Sequence, residues 1–259
     1  MRIDMGHYFF TESYTYKQGV AASISGGTPA AGHLPPDAID YDKASYCETD
    51  GANPELVIDL GVARTVDSLW LKHDNIETIE VYHSSDGIAW TETAGGDGVI
   101  DMGDGILWYF GFTAQSKRYW KIKVATKAGA GNVKFYEAML MELKLTLEDD
   151  IDLPADVRVD KVDTIGGHYV MADGSTLSYA GQRIFARIAV MFQYTPKANK
   201  DALEALFASP IRQALTIVPD EAYPENIYRA IWQEADFKLN YSIPYKPNGF
   251  SGELNFIEY

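Results

Sequence analysis

The stretch Leu56-Val-Ile-Asp-Leu-Gly61 decides the fold of the first half of this chain. Its short apolar run followed by a glycine predicts a buried strand that ends in a turn. A second stretch, Ser84-Ser-Asp-Gly-Ile-Ala-Trp90, predicts a strand end, a tight turn at Asp86-Gly87 and a tryptophan that returns to a core. Together they predict an antiparallel β-sandwich that binds or assembles.

Further strand-like runs extend this pattern through residues 1–147, which we take as the first domain. The run Tyr119-Trp-Lys-Ile-Lys-Val124 alternates apolar residues with lysines, as expected for a strand with one buried face. No segment of this half has helical periodicity, so a sandwich with loop-rich ends is predicted. The predicted strands are Glu55–Leu60, Ser68–His73, Thr78–His83, Leu107–Phe112, Tyr119–Val124 and Phe135–Leu147.

The acidic stretch Glu148-Asp-Asp-Ile-Asp-Leu-Pro154 predicts a domain boundary, and residues 148–259 form the second domain. One helix is expected near 197–208, with Thr195 as its N-cap and Pro196 at its first position. The apolar stripe of this helix is Ala198, Ala202, Leu203, Leu206 and Phe207. The strands predicted around it are Val157–Val162, Gly167–Met171, Arg183–Tyr194, Ala214–Val218, Tyr228–Phe237 and Gly252–Phe256, an α+β arrangement.

Composition and charge restrict the partners of the chain. With 259 residues, 46% hydrophobic and 23% charged, it has the composition of a globular protein. A formal net charge of −15 argues against binding to nucleic-acid phosphates or anionic membranes. One cysteine excludes an intramolecular disulfide, and no apolar run approaches the length of a membrane span. Without a signal-peptide pattern at its start, the chain is expected to fold in a cytoplasm.

No residue pattern indicates catalysis. The five histidines lack metal-ligand spacing, and no Gly-x-Ser-x-Gly elbow marks a nucleophile. The 37 acidic residues offer many carboxylate pairs, but the sequence distinguishes none of them. We therefore expect a protein that is not an enzyme.

Aromatic residues near the predicted loops at one end of the sandwich are the candidate ligand-binding residues. Such side chains can stack on sugar rings or fill a pocket of a partner. For Tyr46 the alternative, that it closes the bottom of its own core, stays equally open. Asp40 and Asp42, with nearby backbone carbonyls, offer hard oxygen ligands for a structural Ca²⁺, and no other cofactor is expected. The candidate binding residues are Tyr14, Tyr16, His33, Tyr46 and His73.

An ordered set of motifs in the first domain resembles the discoidin or coagulation-factor F5/8 type C domain. The resemblance implies a galactose-binding-like jelly roll that binds glycans or other surface ligands through its tip loops. Tyr46 departs from the family, which usually has tryptophan there, and the two bracketing cysteines of extracellular animal members are absent. The motifs are Ala21-Ala-Ser23, Ala38-Ile-Asp-Tyr-Asp42, Ser45-Tyr46, Leu56–Gly61, Ser84–Gly87 with Trp90, and Lys117-Arg-Tyr119 with Ile122.

The second domain is similar to the barrel-plus-helix domain of phage tail-tube and distal-tail proteins. The similarity lies in the order of its elements and in the ending Gly252-Glu-Leu-Asn-Phe-Ile-Glu258. It implies a ring whose sheets line a channel for DNA, and an acidic lumen would let DNA pass without specific binding.

The resemblances together predict a structural protein of a phage tail tip or baseplate, located in the virion and assembled in the host cytoplasm. The second domain would form a ring of three or six copies, and the jelly roll would contact other tail or baseplate proteins or a host-surface glycan. The first alternative is a carbohydrate-binding protein that acts through the jelly roll. The second alternative is a glycan-active hydrolase that carries the jelly roll as a binding module. Insertion into a membrane is not expected.

Overall fold

The computed structural model describes most of the chain. The chain divides into two compact units, which we call the sandwich unit (Thr11–Leu143) and the helix-bearing unit (Met1–Phe10 with Lys144–Tyr259). Of the predicted boundary Glu148–Pro154, only Glu148 belongs to the described residues. The described residues are 7–42, 44–51, 53–93, 100–101, 106–148, 156–162, 166–170, 176–180, 185–213, 215–218, 227–233, 236–237, 239–242 and 249–258.

The sandwich unit is built almost entirely of antiparallel strands, as predicted. A single 3-10 turn, Pro35–Ala38, interrupts the strands in its described part. Strand β1 (His7–Ser13) ends in this unit. The others are β2 (Ala21–Ser25), β3 (Cys47–Thr49), β4 (Glu55–Asp74), β5 (Ile76–Ser84), β6 (Thr91–Glu92), β7 (Ile100–Asp101), β8 (Ile106–Thr126) and β9 (Val133–Glu148).

Two long strands, β4 and β8, pair with each other along most of their length and with different neighbours toward their two ends. The first part of β4 pairs with β2 and β8, whereas its last part, Ser68–Asp74, pairs with β8 and β9. The register of β4 against β8 shifts between Asp59 and Arg64 and again between Val66 and Ser68. Such irregularities let one strand bend from one sheet into the other. The separate strands predicted at Glu55–Leu60 and Ser68–His73 are therefore one strand, as are those at Leu107–Phe112 and Tyr119–Val124.

The core of the sandwich unit is apolar and lies between the facing sides of these layers. Alternate residues of each strand are buried, as in Leu56, Ile58 and Leu60 of β4. Trp120, which is fully buried, is the largest side chain of this core. The expectation that Trp90 returns to a core is wrong, because its partly exposed ring packs on the Lys121 amine at 5.0 Å. The other layer contributes Leu69, Leu71, Val133, Phe135, Ala138 and Leu140.

The helix-bearing unit contains the one α-helix of the described residues, α1 (Lys197–Ala208). Its N-cap is Pro196 rather than the predicted Thr195, and no side chain caps the helix. Strand neighbours run in the order β10, β13, β17, β15, β14; β16 pairs with β17, while β11 and β12 pair with each other. The strands are β10 (Asp156–Val162), β11 (Gly166–Val170), β12 (Thr176–Ala180), β13 (Phe185–Pro196), β14 (Leu215–Val218), β15 (Tyr228–Trp232), β16 (Asn240–Ser242) and β17 (Gly249–Glu258).

The helix packs through the later part of the apolar stripe that the sequence predicted, whereas Ala198, at the start of that stripe, is exposed. Leu203 is fully buried and Leu206 nearly so, and Phe207 contacts the ring of Trp232 edge-on at 5.2 Å. These side chains join apolar residues of β13, β14, β15 and β17 in a second core. The fold is therefore mainly β with one packed helix, as predicted. Within the described residues, no helix is long and apolar enough to cross a membrane.

Candidate functional site

Three aromatic rings meet at one end of the sandwich unit and form what we call the tip cluster: His33, Tyr46 and Tyr136. His33 stacks face to face on Tyr46, with ring centroids 4.1 Å apart and planes 11° apart. Tyr136 lies against Tyr46 at 5.2 Å in a tilted arrangement. All three side chains are partly exposed, so they do not close a core.

Backbone pairing fixes the segments that carry these rings. Tyr46 directly precedes β3, whose first residue, Cys47, is fully buried and pairs with Phe135 of β9. The Glu48 N–H donates to the carbonyl of His33 (3.3 Å), and the Ala30 N–H donates to the carbonyl of Glu48 (2.8 Å). The loop that bears His33 is thus tied to β3. The rings are held in place before any ligand arrives.

Two lysine amines lie over the tyrosine rings of the tip cluster. The Nζ of Lys134, on β9, is 5.0 Å from the ring centroid of Tyr46. The Nζ of Lys72, on β4, is 5.0 Å from that of Tyr136. A cation over a tyrosine face is attracted by the ring quadrupole, worth roughly 0.5–1 kcal/mol at an exposed site. The cluster therefore combines flat apolar faces with positive charge.

The five predicted binding residues do not lie together. His33 and Tyr46 form the stacked pair, and partly exposed Tyr16 packs edge-on against Tyr41 at 5.1 Å. Tyr14 and His73 are each only 4% exposed. A buried ring offers no face to a ligand, so the structure leaves these two in the interior.

The surroundings of Tyr14 and His73 are those of structural residues. The Tyr14 hydroxyl donates to carboxylates of Glu142 and Glu12, and burial together with these acids raises its pKa. Burial lowers the pKa of His73 to about 4, and the nearby Lys127 acts in the same direction. Neither ring nitrogen of His73 has a hydrogen-bond partner among the described residues. His73 is therefore a neutral core residue at pH 7.

Asp40 and Asp42, the expected calcium ligands, shape the loop after the 3-10 turn. Asp40 accepts hydrogen bonds from the Asp42 N–H and from the Ser45 hydroxyl, both 2.8 Å long. The Ala44 N–H donates to the Asp42 carboxylate at 3.0 Å. No group of three or more histidine, cysteine, aspartate or glutamate side chains arranged for a metal occurs in the described part of the chain.

A buried acid that sequence reasoning missed lies near Asp40. Glu137, on β9, is completely buried, and the Tyr16 side chain and the Tyr41 backbone interact with its carboxyl group and act to lower its pKa. Burial, with the negative charge of Asp40, raises the pKa of Glu137 to about 9. Without a cation the Glu137 carboxyl group is therefore protonated and neutral at pH 7, and a bound cation would favour its ionised form; carboxylate oxygens are the ligands that suit Ca²⁺.

Sequence reasoning also missed Tyr136 and the two lysines. Tyr136 lies within a strand, between the buried residues Phe135 and Glu137, whereas the aromatic residues predicted to bind are confined to the predicted loops and their neighbourhood. The available signal was Glu137, an acid inside the apolar run Phe135–Leu140. A charged residue in a run that otherwise predicts a buried strand marks a position with a special environment.

Comparison with known proteins gives structural likenesses alone, because no family model and no curated protein matches the chain. A chitosan-binding module from a chitosanase/glucanase of Paenibacillus sp. IK-5 is 17% identical, with a TM-score of 0.44, over 51% of this chain and 98% of that module. A family 32 carbohydrate-binding module from NanJ of C. perfringens is 18% identical, with a TM-score of 0.43, over 51% and 99%. Likenesses this weak establish neither function nor ligand.

Proposed function

We propose that the sandwich unit binds carbohydrate through the tip cluster. The observation that carries the proposal is the stacked His33–Tyr46 pair, partly exposed and extended by Tyr136. Aromatic side chains combine a flat apolar face with polar edges, and this suits the alternating C–H and O–H groups of a sugar ring.

Preorganisation supports the same reading. Binding is weakened when loops and side chains must be ordered, and the His33 loop is already tied to β3 by backbone hydrogen bonds. Polar groups beside the cluster are also held in place, since the Asn132 side-chain amide donates to the Glu48 carboxylate at 2.9 Å. A sugar would thus meet an ordered surface with aromatic faces at its centre and hydrogen-bonding groups at its rim.

The test is a glycan array probed with the full chain, followed by calorimetry on the glycans that bind. Tyr46→Ala and His33→Ala are expected to weaken binding at least tenfold, because each removes one member of the stacked pair. Tyr82→Ala, which removes a partly exposed tyrosine of β5 outside the tip cluster, is the matched control and should bind normally. Binding that survives both tip substitutions, or no binding to any glycan, would overturn the proposal.

A structural Ca²⁺ between Asp40 and Glu137 is a second element of the proposal. Its support is the buried, raised-pKa carboxylate of Glu137 beside Asp40. The ion would neutralise both acids and hold the loop after the 3-10 turn against β9, near the tip cluster. Its role would be to stabilise the site rather than to contact the sugar.

For the helix-bearing unit we propose assembly into a ring of three or six copies within a phage tail tip or baseplate. The supporting observation is its order of elements, with α1 placed between a long strand β13 and the strands β14, β15 and β17. The resemblance of its sequence to tail-tube and distal-tail domains is what suggests such a ring. Light scattering on the purified chain tests the proposal: a mass of three or six copies supports it, and a monomer at all concentrations counts against it.

A further inference from the structure

The two lysines of the tip cluster differ from the paired lysines elsewhere in the sandwich unit. Lys17, Lys121 and Lys123 each form an ion pair with a glutamate. Lys72 and Lys134 have no carboxylate within 4.0 Å among the described residues, and each amine instead lies over a tyrosine ring. Amines also lie over tyrosine rings at the ion-paired Lys17 and Lys121, so the missing ion pair is what distinguishes the two lysines of the tip cluster.

The acids that face these lysines reduce their charge only in part. Lys72 is directly opposite Glu137 in the strand pair, but Glu137 is completely buried and its carboxyl oxygens are not within 4.0 Å of the Lys72 amine. Lys134 lies between Glu48 on β3 and Asp74 on β4. Glu48 is engaged by Asn132. Asp40 acts on Glu137 and is itself exposed. The charge available to a ligand is therefore mainly that of Lys72, with Lys134 partly offset.

We infer that the tip cluster selects an acidic sugar, a hexuronic acid whose ring stacks on the aromatic faces while its carboxylate pairs with Lys72 or Lys134. This inference rests on the proposed carbohydrate binding and specifies its ligand. A uronic acid carries its carboxylate at the edge of the ring, so stacking and ion pairing are possible at the same time.

The lysine amines are free to turn toward such a carboxylate. A charge-assisted hydrogen bond to a carboxylate is at least as strong as a cation–π contact at an exposed site, so a lysine can exchange one for the other. Repulsion from the rest of the acidic chain is weak at physiological salt, because charges more than about 8 Å away are largely screened. The two lysines of the tip cluster, rather than the net charge of the chain, therefore determine whether a sugar carboxylate is attracted.

The experiment compares acidic glycans with their own neutral forms. Oligomers of galacturonate, mannuronate and glucuronate are titrated into the full chain by calorimetry, each beside its carboxyl-reduced counterpart, which keeps the linkage but lacks the charge. Wild type is expected to bind at least one acidic oligomer about tenfold more tightly than its reduced form. The preference should shrink as salt rises from 50 to 300 mM.

Substitutions separate charge selection from carbohydrate binding itself. The double variant Lys72→Gln with Lys134→Gln should lose the preference for the acidic form but still bind the reduced oligomer. Lys123→Gln, which breaks an ion pair with Glu80 elsewhere on the unit, should keep the preference. Equal binding of acidic and reduced forms by wild type overturns this inference and leaves the proposed function standing. Absence of binding to all oligomers and to the glycan array overturns both.

Discussion

The guanidinium of Arg118 on β8 donates two hydrogen bonds to the carboxylate of Asp59 on β4, from Nε to Oδ1 at 2.7 Å and from Nη2 to Oδ2 at 2.8 Å. Asp59 also accepts the Gly61 N–H at 2.8 Å. These bonds join the Leu56–Gly61 stretch to the Lys117–Tyr119 stretch, just before the register of β4 against β8 shifts. The pair therefore fixes the position at which β4 begins its bend.

Asp59→Asn should lower the melting temperature at pH 7, because asparagine keeps the shape of the side chain but loses the charge that Arg118 binds. Arg118 lowers the pKa of Asp59 below its ordinary 3.8. The unfolded chain therefore takes up the proton first as pH falls, so the stabilisation is complete above about pH 5 and is lost as pH falls through the lowered pKa.

Melting curves of wild type and Asp59→Asn between pH 3 and pH 7 provide the measurement. The difference between the two proteins should be largest near pH 7 and should narrow below the ordinary pKa. Glu77→Gln, a substitution at an exposed position of β5, is the control and should leave the curves unchanged. A difference that is constant with pH would mean that the ion pair contributes nothing.

His73→Gln should reduce the amount by which the free energy of unfolding falls between pH 7 and pH 4.5. His73 is neutral in the folded protein because burial lowers its pKa to about 4, whereas the unfolded chain protonates near the ordinary 6.5. Stability is then present above pH 6.5 and falls as pH drops toward 4, by up to about 3 kcal/mol for this group. Urea unfolding at pH 7 and pH 4.5 measures the change.

The slope with pH, rather than the absolute stability, is the quantity to compare for His73→Gln, since a buried glutamine has its own desolvation cost. A residual slope is expected from His83, whose pKa burial also lowers. If wild type and His73→Gln lose the same free energy between pH 7 and pH 4.5, the assignment of His73 as the main acid-sensitive core residue is wrong.

Leu203→Ala should destabilise the helix-bearing unit by about 2–5 kcal/mol, because it opens a cavity where α1 packs on its sheet. Amide hydrogen exchange followed by mass spectrometry measures the effect within each unit. Faster exchange is expected in peptides from α1 and β17. The neighbouring Glu204→Ala, which removes an exposed partner of Lys200, is the control and should change little. Unchanged exchange in Leu203→Ala would contradict the packing of the helix.

The prediction of strands from the sequence succeeded where one face is buried, and it failed where strands bend. Apolar residues alternate with lysines over Tyr119–Val124, as a half-buried strand requires, so this part of β8 could be predicted from the sequence. The continuation of β8 back to Ile106 could not, because register shifts interrupt the alternation while the hydrogen-bonded ladder continues. The same limit explains why β4 was predicted as two strands.

The tip cluster shows a similar division. Loop aromatics His33 and Tyr46 could be proposed as binding residues from their type and position in the sequence. Tyr136 was not proposed, because it lies within a strand, and strand aromatics on an outer face cannot be assigned to a site until the neighbouring loops are placed. Tyr14 and His73 were predicted at the surface but lie in the interior, since the polarity of a side chain does not reveal whether its aromatic ring is needed for packing.

Glu137→Gln should abolish a stabilising response to Ca²⁺. In chelator at pH 7.5, folded wild type keeps Glu137 protonated against its ordinary pKa of 4.5, a cost on the order of 4 kcal/mol that glutamine does not carry. The variant should therefore be the more stable protein without calcium. Adding millimolar Ca²⁺ should raise the melting temperature of wild type, because an ion bound only by the folded state stabilises it.

Three comparisons make this prediction decisive. Glu77→Gln, which removes an exposed carboxylate, should respond to Ca²⁺ as wild type does. Asp40→Asn should gain little stability from Ca²⁺, because it removes the second carboxylate of the proposed site. The asparagine still has a side-chain oxygen that can accept the hydrogen bond from the Asp42 N–H. If wild type and Glu137→Gln gain equal stability from Ca²⁺, the ion binds elsewhere on this acidic chain and Glu137 is a buried neutral acid without a metal.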